Sequence, residues 1–163
     1  MPAVPSPSFT LQAVDYTDPR AAALRAAMDE EMGARYADGP GLSAAGVAAL
    51  TVDPATIRHT VLAVDADGTP IGHAALRDLR GEWEVKRVVV AAAARGRGVG
   101  RAVMAELERL ARAGGATRMI LQTGDRQPEA EALYVAVGWT PIPAYAPYAD
   151  ALPMSRCYAR HLG

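Results

Sequence analysis

The sequence predicts an α/β sandwich, a mixed and mostly antiparallel sheet flanked by helices. Three observations predict it. Three strand-like segments follow one another between residues 57 and 91, separated by Asp67-Gly68 and by Gly81. A glycine run, Arg95-Gly96-Arg97-Gly98-Val99-Gly100, joins the last of them to an amphipathic helix. Beyond that helix, extended and helical segments alternate. A length of 163 residues suits one domain spanning 1–163, enough chain for one substantial core.

The elements follow in order. The Pro/Ser-rich stretch to Ser8 reads as a flexible leader. Phe9 to Asp15 alternates Phe9, Leu11 and Ala13 against Thr10, Gln12 and Val14, the period of a strand. Asp18-Pro19 is a helix start, with Asp as cap and Pro at the first helical position. The helix carries Ala22, Leu24, Ala27, Met28 and Met32 and breaks between Gly33 and Gly41. A short helix is expected from Ser43 to Leu50, ended by Asp53-Pro54. Strands follow at Ile57 to Asp65, Pro70 to Leu79 and Glu82 to Ala91, with Gly72 placed for a bulge or a close approach.

The helix that begins near Gly98 sets Val99, Val103, Leu107, Leu110 and Ala111 on one stripe, and Gly114-Gly115 stops it. Thr117 to Thr123 reads as a short buried strand, and Gly124 to Pro128 as a loop. Glu129 to Val137 is a helix ended by Gly138. Trp139 to Tyr145 and Leu152 to Ala159 are the last strands. The predicted order is β-α-α-β-β-β-α-β-α-β-β.

Composition narrows the function. Half of the residues are apolar and the net charge is −1, which argues against a general nucleic-acid or membrane-surface binder. Residues 84–118 hold eight Arg and Lys against three Glu, but no aromatic residues interleave them as in a stacking platform. A single cysteine, Cys157, excludes an internal disulfide and reads as a buried structural thiol. His59, His73 and His161 show no metal-ligand spacing, so no metal is expected. No signal-peptide pattern or spanning stretch is present, and a cytoplasmic location is the expectation.

The glycine run carries the most information. At a strand-to-helix turn, glycines let the backbone approach a ligand closely. The first helical amides there have no intrahelical partner and sit at the positive end of the helix dipole, which suits phosphate oxygens. Arg95, Arg97 and Arg101 add charge at the same mouth. A Walker loop would need Gly-Lys-Ser or Gly-Lys-Thr, and here Gly100 is followed by Arg101 and Ala102. A dinucleotide fingerprint would need glycine where Arg101 or Val103 stands, and would follow the first strand of its domain. Arg95, Gly98 and Gly100 do fit Arg/Gln-x-x-Gly-x-Gly/Ala, a pyrophosphate cradle for coenzyme A.

With that pattern, and with Gln127, Ala130, Leu133, Tyr134, Gly138 and Trp139 at the spacing of a second motif, the chain resembles the GCN5-related N-acetyltransferases (GNAT). The resemblance covers nearly the whole chain. It departs at Gln127, where the family usually has Asn, and at Ala91 to Ala94, which lack a frequent Pro-Glu. It implies the acyl-CoA N-acyltransferase fold and acetyl-CoA as acyl donor. Residues Gly96 to Arg101, with Arg95, would hold the pyrophosphate, and the backbones of Val88, Val89 and Val90 would pair with the pantetheine arm. Gln127 would sit at the cofactor contact, and Tyr134 would protonate the leaving thiolate. Glu84, with Glu82 as alternative, would be the base that frees the amine, because an alkylammonium cannot attack a thioester. Backbone amides of the bulged strand would polarise the thioester carbonyl.

The resemblance implies direct attack by an amine in a ternary complex. It also allows a homodimer. The acceptor would lie around Met28 to Leu42 and Ile142 to Leu152. There Asp29, Glu30, Glu31 and Asp38 would suit a cationic amine, and Tyr36, Tyr145 and Tyr148 could line the walls. The alternative reading is a catalytically silent sensor or scaffold that binds CoA or acyl-CoA on the same fold.

Overall fold

In chain order, strand β1 (Phe9–Val14), helices α1 (Pro19–Arg35) and α2 (Ala44–Leu50), and strands β2 (Ile57–Asp65), β3 (Pro70–Leu79) and β4 (Glu82–Val90) form the first half. Helix α3 (Val99–Ala113), strand β5 (Arg118–Gly124), helix α4 (Pro128–Ala136), strand β6 (Thr140–Ile142), the short helix α5 (Tyr148–Ala151) and strand β7 (Ser155–His161) complete it. The computed structural model describes residues 8–163, so the expected leader lies almost wholly outside the described residues. Helix starts follow local chemistry. Asp18 accepts from the Arg20 amide ahead of Pro19, and Ser43 accepts from the Gly46 amide.

The seven strands form one sheet in the order β1-β2-β3-β4-β5-β7-β6. Neighbours are antiparallel except β4 and β5, which the crossover through α3 makes parallel. Alternation assigns the faces. Val61 and Ala63 of β2 join the core under α3 and α4, while Leu62 and Val64 pack beneath α1 with Ala21 and Leu24. The sheet is therefore covered on both sides.

Gly72 lies at a register shift between β2 and β3, and α3 comes so close that a Cβ there would stand 2.5 Å from Val99 Cγ1. The late segment differs from expectation. Tyr148 and Leu152 belong to a helical turn buried against Ala49 of α2, so β7 starts at Ser155 rather than Leu152. Trp139 leaves the expected strand to enter the main core just after Gly138, which has φ 95°.

Candidate active site

The site forms where β4 and β5 part. Their pairing runs only from Trp83↔Met119 to Val85↔Leu121, after which the strands diverge. On that side the main-chain groups of Val88, Val89 and Val90 have no strand partner. Their register with β3 also breaks: His73 faces Val89 and Ala75 faces Lys86, so Arg87 and Val88 together oppose one residue. Arg87 takes the left-handed conformation, φ 59°, which a side chain with a Cβ adopts at a cost.

Buried side chains hold this bulge. His73 Nδ1 donates to the Arg87 carbonyl at 2.7 Å, and Arg25 Nη1 donates to His73 Nε2 at 2.9 Å. Burial pulls His73 down to about 4, so the ring is neutral, and its partners assign the proton to Nδ1. Arg25 in turn donates to the Tyr16 carbonyl at 2.7 Å. The Arg87 guanidinium closes on Asp29 with bonds of 2.6 and 3.0 Å.

Two cavities open along the parted strands. One of about 420 Å³ is lined by Val88, Val89, Val90, Arg95, Gly96, Gly98, Val99, Gly100 and Arg101. The first helical bond of α3 is from Ala102 N–H to the Gly98 carbonyl, so the amides of Val99, Gly100 and Arg101 have no intrahelical partner. Gly96 and Gly98 both have φ 82°, with open space where a Cβ would project. This cradle fits a pyrophosphate. Arg95 lies beside it, held to Glu31 at 2.8 Å, whereas Arg97 turns to Asp65 and to Ser8 Oγ and lines neither cavity.

The second cavity, of about 630 Å³, lies between α1, the 36–42 loop, β4 and β5. Val88, Gln127, Tyr134, Met28 and Met32 line both cavities and mark where they join. Tyr134 is buried there against Trp139 and Tyr158, and burial pushes its phenol well above the usual range.

Other expected site residues fall elsewhere. Glu84 is fully enclosed and lines neither cavity. Arg77 Nε donates to its Oε1 at 2.6 Å, Tyr148 Oη to Oε1 at 3.1 Å and Tyr145 Oη to Oε2 at 2.5 Å. A carboxylate enclosed in this way, with three donors on it, does not face an amine in either cavity. Glu82 is paired with Arg118 on the surface. Cys157 is buried and its thiol is pushed up by burial, as a structural cysteine would be.

The acidic residues expected to attract a cation are largely matched. Asp29 pairs with Arg87, Glu31 with Arg35 and Arg95, and Asp38 with Arg126. Tyr36 does line the larger cavity, whereas Tyr145 and Tyr148 serve Glu84 instead.

Two residues that sequence reasoning passed over stand out, His73 beneath the bulge and Lys86 on the wall of the larger cavity. Nothing local marks His73. Lys86 did carry a signal, as the one lysine in a chain with sixteen arginines.

The sequence model of the acetyltransferase (GNAT) family matches residues 22–139. No protein of curated function matches the chain. Among solved structures, a Klebsiella pneumoniae protein assigned as an acyl-CoA N-acyltransferase is 27% identical, with TM-score 0.79 over 97% of this chain and 100% of its own. An acetyltransferase from Streptococcus agalactiae is 17% identical, with TM-score 0.71 over 94% and 98% of the two chains. A GNAT acetyltransferase from Elizabethkingia anophelis, solved with acetyl-CoA bound, is 15% identical, with TM-score 0.67 over 96% and 99%. The last two share the fold. With the family's sequence model spanning most of the chain and its parted strands and glycine cradle in place, this protein belongs to the GNAT acetyltransferase family.

Proposed function

We propose that the protein transfers an acetyl group from acetyl-CoA to an amine by direct attack in a ternary complex. The observation that carries this reading is the gap between β4 and β5, which joins an anion cradle at one end to a mostly apolar cavity at the other through Tyr134. The pyrophosphate would lie on the free amides at the start of α3, with Arg95 and Arg101 beside it. The pantetheine arm would pair with the open main-chain groups of Val88 to Val90, as an added strand does. The thioester would then lie at the bulge, near Val88 and Tyr134.

In the transfer a C–N bond forms and the C–S bond breaks. The proton leaving the attacking nitrogen passes to water in the larger cavity, and Tyr134 supplies the proton that the thiolate takes up. The Tyr134 phenol stays protonated through the neutral range, since burial raises its pKa, and so has a proton to give. Main-chain N–H groups at the bulge would polarise the thioester carbonyl. Glu84, held by three donors, acts here as the partner that positions Arg77 and Tyr148. An acyl-enzyme is disfavoured because Cys157 lines neither cavity and its thiol is raised.

The test is calorimetry with acetyl-CoA against NAD, followed by thiol release with a panel of amines. Micromolar binding of acetyl-CoA, none of NAD, and amine-dependent thiol release are expected. Binding without release from any amine would overturn the transfer reading in favour of a silent acyl-CoA-binding module.

A further inference from the structure

Among the described residues, Lys86 is the cation of the larger cavity that no carboxylate pairs. It is buried, and its Nζ donates to Tyr148 Oη at 2.8 Å and lies 4.8 Å from that ring's centre. Tyr148 also accepts from Arg77 Nη2 at 3.0 Å and donates to Glu84. Two cationic side chains, Arg77 and Lys86, thus share one carboxylate, and Arg77 takes it directly at 2.6 Å. Lys86 pairs with no carboxylate among the described residues. Arg87 and Arg126, the other cations on this wall, are each paired with an aspartate. An enclosed surplus of positive charge is costly unless an anion joins it.

The remaining chemistry of the cavity fits that demand. Met28, Met32, Leu42, Leu50, Leu121 and Met154 make its walls apolar. Asp29 and Asp38 are already engaged by arginines, and Asp125 is exposed at the rim, so nothing is left inside for a second ammonium group. Burial draws Lys86 down to about 8, against the pull of Glu84 and with the push of Arg77, and leaves it mostly protonated at neutral pH. Its ammonium is hydrogen-bonded to Tyr148, the phenol that donates to Glu84, whereas in the proposed transfer the reacting nitrogen stands by Val88 and Tyr134. Lys86 and Val88 both line this cavity and lie two positions apart on β4, so a carboxylate held by Lys86 and an amine at Val88 belong to one small molecule. Lysine, a compact point charge, suits such a pocket better than the longer fork of an arginine.

We propose that the acceptor is an amino acid with an apolar side chain, and that Lys86 binds its carboxylate. The inference rests on the acetyl-transfer reading and reverses the preference for a cationic amine expected from the acidic residues of the sequence.

Matched acceptors test it by thiol release: leucine against 3-methylbutylamine, methionine against 3-(methylthio)propylamine, and spermidine as the polycation. Each amino acid is expected to exceed its decarboxylated partner at least tenfold in kcat/KM, mostly through KM. Lys86→Met should lower kcat/KM for leucine at least tenfold more than for 3-methylbutylamine, with acetyl-CoA affinity retained as evidence of folding. Lys86→Gln, which keeps a donor for Tyr148 without the charge, should behave in the same way and serves if the Met variant does not fold. Equal use of the decarboxylated amines, or a preference for spermidine, overturns the proposal. So does an equal loss of kcat for both partners with a displaced pH profile, which would make Lys86 a proton acceptor. If acetyl-CoA binds but no compound releases thiol, the transfer reading fails. Calorimetry of leucine in the presence of CoA then decides the anchor alone: binding at least tenfold weaker in Lys86→Met supports it, and equal binding overturns it.

Discussion

Tyr134 illustrates how surroundings decide what a side chain can do. Held at the junction of the two cavities, its phenol stands where the proposed reaction needs a proton. Its ring is fixed between Trp139 and Tyr158, at centroid distances of 6.2 and 6.0 Å. Burial raises its pKa, so it stays protonated and, in the proposed reaction, is available as an acid and not as a base. Tyr134→Phe keeps the packing and removes the proton. It should lower kcat at least tenfold while acetyl-CoA affinity and thermal midpoint stay close to wild type, and steady-state kinetics beside a melting curve would show it. Full activity in that variant would remove Tyr134 from the mechanism. Glu84 makes the opposite case: a carboxylate in a suggestive register is spent on structure once Arg77, Tyr145 and Tyr148 surround it.

Helix α3 has to sit close to the sheet for its free amides to face the cleft. Gly72 of β3 allows it, and Gly100 lets α4 pack against the start of α3. A Cβ at Gly72 would meet Val99 Cγ1 at 2.5 Å, and one at Gly100 would meet Leu133 Cδ2 at 2.9 Å. Val99 is β-branched and stiff at χ1, so it cannot easily swing aside. Gly72→Ala should therefore force α3 outward and destabilise the fold by about 1–3 kcal/mol, the usual cost of overpacking. Adding Val99→Ala should recover part of that loss, so the double variant is more stable than the sum of the singles. Urea unfolding of the four proteins measures the coupling, and strictly additive effects would argue against this contact.

Across the whole molecule, one chain of polar contacts ties the layers together. It runs from Tyr16 through Arg25 of α1 and His73 of β3 to the Arg87 carbonyl in β4. His73 is neutral in the folded protein, with its pKa drawn down to about 4 from 6.5. Between those two values the unfolded chain binds the proton and the folded chain does not, so stability must fall as pH drops through that window. The loss between pH 7 and pH 5 should be about 2 kcal/mol, by the linkage of the two pKa values. Denaturant unfolding at both pH values checks it. His73→Phe, although less stable overall, should show a slope smaller by that amount, and an unchanged slope would free His73 from the acid limb.

Local patterning was enough for much of this protein. The N-cap Asp18, the first strand read from the alternation after Phe9, the apolar stripe of α3 and the glycine cradle at 95–100 all depend on neighbours a few residues apart, and each stands where it was expected. The two motifs, one on the α3 turn and one along α4, made the family legible for the same reason. What depended on distant partners was not legible. The placing of β7 between β5 and β6 follows from pairing between strands far apart in the chain. A bulged strand was implied by the resemblance, but its place at Arg87 has no mark in a run of valines, and it persists because His73 and Asp29 hold it from other elements. The acidic residues of α1 and its loop looked available for a cationic substrate until the fold set arginines from β4, α3's approach and the 125–127 loop against them. The sequence by itself determined the secondary structure up to α4, the cradle and the family, because those are written in local spacing. Only the tertiary structure decided which charges remain unmatched in the cavity, because whether a charge is neutralised depends on the partners that folding brings to it.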